Sequence, residues 1–510
     1  MYGTIYSLIP FFIVIPFAMI TKQVIPGLMV GLCVGAYMLH PTPLGGLQAT
    51  LSYIIKECAV PDNLRLIVFL YGFGAFVGLI RVTGGISGFA AWMAKRIRTV
   101  RGAFALTWVS SVATFMAPDF RIITIAPIVK NVFERLGVSA MRVAYIIDLT
   151  STPLCAIVPI GTAFVGYMIG LIATSLHHTG GFSPYELLIA SLPFNLFSWV
   201  MLAWGLYTSF FSRAERAKHK DEVDKTQKQK MYQVPSANAA FIQRKVNQTR
   251  AMAIVEAGEI GIVDKDRENH GFPDVVEQVS KSAHPNALNL LLPLGMLLVL
   301  TLFLTWWDGH TKASGILSAF VHANAAKAML EALLITLIVS VVFYAVRRQP
   351  LERTMFGFLA GGNEMMGVIV LLVLIWGVSA VSADLGFATF TKREIAHYVP
   401  ASLIVPALFV FGCAISYVIG SSFGTWGMLM PLGFSLAAGG AGSLPVIAGA
   451  VFASGTFGGF ASPLSDNTVA MATVMKLPVM GYARHKTKTA VFAALVCTVL
   501  YAVLGFWKEL

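Results

Sequence analysis

Residues 449–472 read GAVFASGTFGGFASPLSDNTVAMA, an apolar stretch that is interrupted by glycines, a proline and a carboxylate. Backbone groups inside a bilayer need hydrogen-bond partners, so such a break is tolerated only where it lines a cavity or is buried in protein. Oxygen-bearing side chains, which small cations prefer as ligands, stand beside the break. They belong to Ser454, Thr456, Ser462, Ser465, Asp466, Asn467 and Thr468. The stretch therefore predicts half of a substrate or ion site.

A second broken stretch, DLTSTPLCAIVPIGT at residues 148–162, lies about 304 residues earlier and predicts the other half. Each of the two stretches follows a further interrupted apolar run, at 117–120 and at 420–424. Broken helices at corresponding places of two halves are typical of a transporter's binding site. Three residue pairs share the offset: Pro127 with Pro431, Thr152 with Thr456, and Pro159 with Pro463.

Composition places the chain in the membrane. It has 510 residues, of which 56% are hydrophobic and only 12% charged, whereas an average soluble domain is about a quarter charged. The five cysteines lack C-x-x-C spacing, so neither a disulfide framework nor a structural zinc site is indicated. The first apolar run follows no basic segment, and we expect it to be a retained span.

Two apolar runs are too long for one span, which needs about 17 to 25 residues. Residues 102–133 are interrupted at Pro118 and residues 401–436 at 420–424, so each run predicts a hairpin. The flanking lysines and arginines place the two hairpins in opposite orientations. We therefore expect an all-α polytopic membrane bundle of about eleven spans plus two broken or re-entrant hairpins, arranged as an inverted-topology repeat.

The distribution of charge divides the chain into three parts. Residues 213–281 hold 13 lysines and arginines and 11 aspartates and glutamates. We predict membrane halves at 1–212 and 288–510, joined by a cytoplasmic charged loop at 213–287, in the inner membrane of a bacterial cell. The net charge of +12 then reflects positive-inside bias, so no nucleic-acid partner is expected. Expected partners are membrane lipid, a small ion or small-molecule substrate and, as one option, a second copy of the chain.

Several motifs resemble the NhaC-type sodium/proton antiporter family of inverted-repeat secondary carriers. The most specific is SPLSDNT at 462–468, and others are SFGTWG at 422–427, AYIID at 144–148 and SLIP at 7–10. The resemblance implies an alternating-access carrier with Na⁺ as bound cargo and no other cofactor. Two acids usual in the family are absent. Pro118 replaces the first of two adjacent acids and leaves Asp119, and Gly459 replaces the acid that usually follows Gly458.

Three carboxylates are candidate ion ligands at membrane depth: Asp119, Asp148 and Asp466. An ionisable group there costs about 2.5 to 3.5 kcal/mol on insertion scales, so its presence suggests function. Asp466 and Asp148 are the candidate Na⁺ ligands. The alternative is a structural cap or a pair with Arg121, which follows Asp119 by two residues.

Hydroxyl groups near the breaks are further candidate ligands, although such groups often bond to freed backbone carbonyls instead. They belong to Thr150, Ser151, Thr152, Ser421, Ser422 and Thr425. Arg121 could bind a substrate carboxylate, since a guanidinium matches carboxylate geometry, or could pair with Asp119 or extend to the membrane surface.

Cation/proton antiport is the leading function that these residues indicate. Ion-coupled transport of a small organic anion or amino acid is the alternative, favoured by Arg121 and the missing acids. An enzyme is not expected: the G-x-S-x-G match at 420–424 lies between membrane helices, whereas the hydrolase motif needs a strand, a turn and a helix.

Overall fold

A computed structural model describes most of both predicted membrane halves. The described residues are 2–94, 99–115, 136–159, 162–176, 182–211, 285–311, 322–390, 400–438 and 442–507, with 118, 121, 122, 125, 126, 129, 130, 133, 315, 319 and 320. All secondary structure within these ranges is helical. The predicted loop at 213–287 lies outside them except for its last residues.

The first part of the chain forms eleven named helices within the described residues. They are α1 (Ile9–Thr21), α2 (Val24–Leu39), α3 (Pro43–Ala59), α4 (Pro61–Val82), α5 (Gly85–Ala94), α6 (Val100–Thr114), α7 (Ala140–Leu149), α8 (Thr152–Cys155), α9 (Ala163–Leu176), α10 (Pro184–Ser191) and α11 (Leu196–Phe210). Short 3₁₀ turns at Ile5–Leu8 and Leu192–Phe194 precede α1 and α11.

The second part contributes ten more within the same described set. They are α12 (Leu288–His310), α13 (Ala325–Val346), α14 (Leu351–Glu364), α15 (Met366–Asp384), α16 (Phe387–Phe390), α17 (Ala401–Ile419), α18 (Ser422–Ala438), α19 (Leu444–Ala461), α20 (Asp466–Met475) and α21 (Val479–Trp507). The predicted second hairpin is the pair α17 and α18, which meet at Gly420.

The all-α membrane fold is confirmed. By length and apolar composition, seven helical segments of the described chain can cross a bilayer, or eight if α10 and α11, bent by 49° at Asn195, form one span. Shorter apolar helices at Tyr6–Thr21, Val24–Leu39 and Ala163–Leu176 accompany them. The number of about eleven spans, the inverted orientation and the division into domains stay predictions.

The offset of about 304 residues also relates whole helices. Shifting α6, α7 and α9 by this offset places them on α17, α19 and α20, respectively. The same shift places α3 on α14 and α4 on α15. The sequence analysis did not predict α3 or α14, because charged and polar residues interrupt the apolar residues of both helices.

Helices α4 and α14 pack with their backbones in contact. A Cβ atom added at Gly78 would collide with the carbonyl oxygen of Gly357, and one added at Gly74 would collide with that of Gly361. Small residues four apart on two helices allow this close approach in membranes. The pair joins the first part of the chain to the second.

Candidate functional site

The second broken stretch is a true interruption of a helix. α19 ends at Ala461, residues 462–465 are irregular, and α20 starts at Asp466. The tip of the α17–α18 hairpin lies against it: Gly420 has φ +76°, and a Cβ atom there would lie 2.6 Å from the Leu464 carbonyl carbon. Only glycine combines that φ with so close an approach at no steric cost. Ser462 Oγ also donates to the Tyr417 carbonyl oxygen at 2.6 Å.

The first broken stretch meets the second through a hydrogen bond. The chain leaves α7 at Leu149 and makes the single turn of α8 from Thr152. Asn467 Nδ2 donates to Thr152 Oγ1 at 2.9 Å, and both side chains are buried. A Cβ atom added at Gly459 would lie 3.4 Å from Thr152 Cγ2 and would collide with Ser422 Oγ. The two predicted half-sites therefore form one polar region.

Asp148 is the buried carboxylate of this region. Its side chain is 0% exposed, and its Oδ2 accepts a hydrogen bond from Tyr482 Oη at 2.8 Å and forms an ion pair with Lys486 Nζ. Tyr482 and Lys486 are one turn apart on α21, so their side chains lie on the same face. The other oxygen, Oδ1, has no hydrogen-bond partner in the described structure.

Lys486 is a site residue that the sequence analysis missed. Its ammonium is fully buried and lies 5.1 Å from the ring centroid of Phe460 and 4.8 Å from that of Tyr482. Aromatic faces attract cations, so the rings and the carboxylate together compensate for its lost hydration. The sequence does carry a signal: Lys486 falls on a helical stripe with Ala490 and Ala493, and small residues mark packed faces in membranes.

The other two predicted carboxylates differ from Asp148. Asp466 is exposed in the first turn of α20, where a negative charge interacts favourably with the helix dipole. Asp119 lies outside the described residues, as does Pro127. Asp148 is therefore the predicted ion-ligating acid that the described structure buries.

Most of the predicted hydroxyl ligands donate to backbone carbonyl oxygens. Thr425 Oγ1 donates to the carbonyl oxygen of Ser421, and the Ser421 hydroxyl accepts a hydrogen bond from the Gly424 amide. Such bonds stabilise the broken helices and leave oxygen lone pairs available. The other donors are Thr150, Ser151, Ser422, Ser454, Thr456, Ser465 and Thr468. Thr152 differs, since it accepts from Asn467.

Several buried side-chain oxygens near the breaks have no hydrogen-bond partner in the described structure. Two of them, Oδ1 of Asp148 and Oδ1 of Asn467, belong one to each broken stretch. Their helices, α7 and α20, pack against each other. Buried polar atoms are nearly always hydrogen-bonded in native proteins, so a pair of unpartnered oxygens is a candidate for binding a cation or water.

Arg121 is also fully buried, which excludes the predicted extension to the membrane surface. Its Nη2 donates to Thr150 Oγ1 at 2.8 Å and to the Thr107 carbonyl oxygen at 2.7 Å. Its Nη1 donates to Thr114 Oγ1 at 2.9 Å and to Ser110 Oγ at 3.2 Å. Arg121 thus connects α6 to the first broken stretch.

Known proteins resemble this chain in sequence or in fold. An uncharacterised protein of Haemophilus influenzae is 24% identical over 527 residues, covering 99% of this chain and 91% of its own. The Na⁺/H⁺ antiporter NhaC of Bacillus subtilis is 30% identical over 144 residues, covering 28% of this chain and 31% of its own.

MtrF of Neisseria gonorrhoeae, described as representing a class of antimetabolite efflux pumps, shares the fold. Its structure matches with a TM-score of 0.56 at 14% identity, over 90% of this chain and 84% of its own. The model of the Na⁺/H⁺ antiporter family matches residues 180–506, which include Lys486 and the second broken stretch. The chain therefore belongs to the Na⁺/H⁺ antiporter family and is a multi-pass membrane protein and secondary antiporter.

Proposed function

We propose that the protein exchanges Na⁺ for protons at Asp148. The observation that carries the proposal is the buried ion pair: one carboxylate oxygen binds Tyr482 and Lys486, and the other is unpartnered in the described structure. A carboxylate held this way can bind either the ammonium or a metal cation. The exposure of Asp466 makes that residue the weaker candidate.

Na⁺ and the Lys486 ammonium compete for the same carboxylate. When Na⁺ binds Asp148, the ammonium loses its counter-charge, and a buried, unpaired ammonium is strongly disfavoured. Lys486 therefore releases its proton as Na⁺ arrives and regains one as Na⁺ leaves. The site holds one positive charge beside the carboxylate in both states, so one Na⁺ is exchanged for one proton without net charge movement.

Oxygens from both broken stretches complete the proposed cation site. Na⁺ is a hard cation that takes several oxygen ligands, as Ca²⁺ and Mg²⁺ do. Asn467 Oδ1 is buried and unpartnered, and its amide nitrogen is held by Thr152. Since a ligand set drawn from both halves changes when the halves move, the arrangement suits alternating access. Na⁺ is the cargo, and no other cofactor is proposed.

We place the protein in the inner membrane of a bacterial cell, with residues 213–287 in the cytoplasm. The clustering of lysines and arginines in that segment supports this orientation. Lipid contacts the apolar outer surface of the bundle, and a homodimer is one arrangement compatible with that surface.

Transport by the full chain in proteoliposomes tests the proposal. Proton flux is followed with an internal pH dye after addition of Na⁺, Li⁺ or K⁺. We expect flux driven by Na⁺, loss of flux in Asp148→Asn, and retained flux in the matched control Asp466→Asn. A potential imposed with K⁺ and valinomycin should leave the initial rate unchanged. A cation-driven flux in Asp148→Asn equal to that of the wild type would refute the assignment.

A further inference from the structure

Arg121 carries a buried positive charge that the proposed cation exchange does not use. Its side chain is 0% exposed. Among the described residues, no carboxylate lies within ion-pair distance of its guanidinium. Burying a charge without a counter-ion costs several kcal/mol, so an unpaired charge at membrane depth indicates a functional site.

The hydrogen bonds of Arg121 show what it lacks. A guanidinium has five N–H groups. Four of them donate to neutral oxygens, namely two hydroxyls at Nη1 and, at Nη2, a hydroxyl and a backbone carbonyl. The fifth, at Nε, has no partner in the described structure. The side chain is thus positioned firmly by neutral groups and keeps both a free donor and its full charge.

The buried charges near the first broken stretch do not cancel. Asp148 is matched by Lys486 through their ion pair. Arg121 bonds to Thr150, two residues beyond Asp148, and adds one more positive charge. The described buried groups near this stretch therefore have an excess of one positive charge, and an anion is the species that would balance it.

We propose that Arg121 binds the carboxylate of a small organic anion. The carboxylate accepts from Nε–H and from Nη2–H, which lie on the same edge of the guanidinium, and replaces one of the two neutral acceptors at Nη2, the Thr150 hydroxyl or the Thr107 carbonyl. Replacing a neutral acceptor by a charged one makes each hydrogen bond roughly twice as strong. Nε and one Nη nitrogen form the planar fork that matches two carboxylate oxygens.

The position of this subsite links it to the broken helices. Arg121 bonds to Thr150, which precedes Thr152 by two residues, and Thr152 bonds to Asn467 of the second stretch. An organic anion bound at Arg121 is therefore held by the first half of the chain, one turn from the groups that connect the halves. This inference does not rest on cation exchange at Asp148.

Binding to the purified full-length protein in detergent tests the subsite without sodium. Choline salts of acetate, lactate, succinate and glutamate are added to protein in choline chloride, and affinity is measured by calorimetry and thermal shift. We expect the wild type to bind at least one of these carboxylates. Arg121→Gln should bind it about 30-fold more weakly or worse, as expected when one partner of a buried charge pair is removed.

Two further variants separate binding from folding. Arg121→Lys keeps the charge but lacks the planar fork, and we expect at least tenfold weaker binding from a folded protein. Arg142→Gln is the matched control, since Arg142 also donates to a backbone carbonyl, that of Thr208, at 2.8 Å; it should bind as the wild type does. A wild type that binds none of the four anions, or Arg121 variants that bind as tightly as the wild type, would overturn the proposal.

Asp119 provides an internal alternative, because it precedes Arg121 by two residues and lies outside the described residues. If its carboxylate is the counter-ion, the wild type binds no added anion and Asp119→Asn gains carboxylate binding. That pair of results would also overturn the proposal. Binding that is unchanged in Asp119→Asn supports it.

Discussion

Replacing Lys486 by methionine removes the counter-charge of Asp148 while keeping a side chain of similar length. The carboxylate is 0% exposed and retains only its hydrogen bond from Tyr482 at 2.8 Å. Breaking a buried ion pair by removing one partner costs about 3 to 5 kcal/mol. We expect Lys486→Met to lower the free energy of unfolding by that amount in a sodium-free buffer.

Sodium should restore much of this loss. If Na⁺ binds Asp148 in place of the ammonium, it stabilises the folded variant by about 2.7 kcal/mol at a concentration of 100 times its Kd. The double variant Asp148→Asn/Lys486→Met has neither charge, so it should be close to wild type in stability and should gain nothing specific from sodium. Removing both charges of a buried pair is often neutral.

The assay is unfolding of the detergent-purified protein by dodecyl sulfate, in choline chloride and in sodium chloride at equal ionic strength. We expect the stabilisation by sodium to depend on the variant: it should be large in Lys486→Met and absent in the double variant. A Lys486→Met protein as stable as the wild type in choline would refute the ion pair. Equal sodium effects in the single and double variants would refute Asp148 as the cation ligand.

Two further changes test the packing of the site and of the scaffold. Asn467→Ala should lower the free energy of unfolding by about 1 to 3 kcal/mol, because it leaves Thr152 without its buried donor. In a double-mutant cycle, its effect on sodium-dependent stability should not add to that of Thr152→Val. Full additivity of the two effects would contradict direct coupling of the two side chains. Gly78→Ala should cost about 1 to 3 kcal/mol of unfolding free energy because its Cβ collides with Gly357. Gly367→Ala is the control for Gly78→Ala, since a Cβ there meets open space, and equal stability of these two alanine variants would show that the α4–α14 contact is not tight.

The broken helices could be predicted because their signal is local. Glycine, proline and a carboxylate inside an apolar run conflict with an unbroken membrane span wherever they occur. The same pattern at a constant offset identified Thr152 and the stretch containing Asn467, which the structure joins by a hydrogen bond. In the structure α19 ends and α20 begins at that interruption.

The partners of the buried charges could not be predicted in the same way. Asp148 and Lys486 are 338 residues apart, and pairing at that distance depends on how helices pack. Lys486 also stands among basic residues, as is typical of the end of a cytoplasmic loop. The sequence therefore indicated that its charge lies at the membrane surface, whereas the structure buries it. Asp466 shows the opposite case: the same motif that marks the break leaves this acid exposed. Helix α14 was missed because its packing depends on glycines rather than on apolar length.

The separation of Asp148 from Lys486 also has a consequence during synthesis. A ribosome that adds 5 to 20 residues per second needs roughly 20 to 70 s to make the 338 intervening residues. Throughout that interval, α7 is already made while the ammonium that neutralises its aspartate has yet to be translated. The nascent first half must keep Asp148 protonated or hydrated until α21, the last described helix, is inserted. The buried ion pair between Asp148 and Lys486 can therefore form only after α21 has been made and inserted.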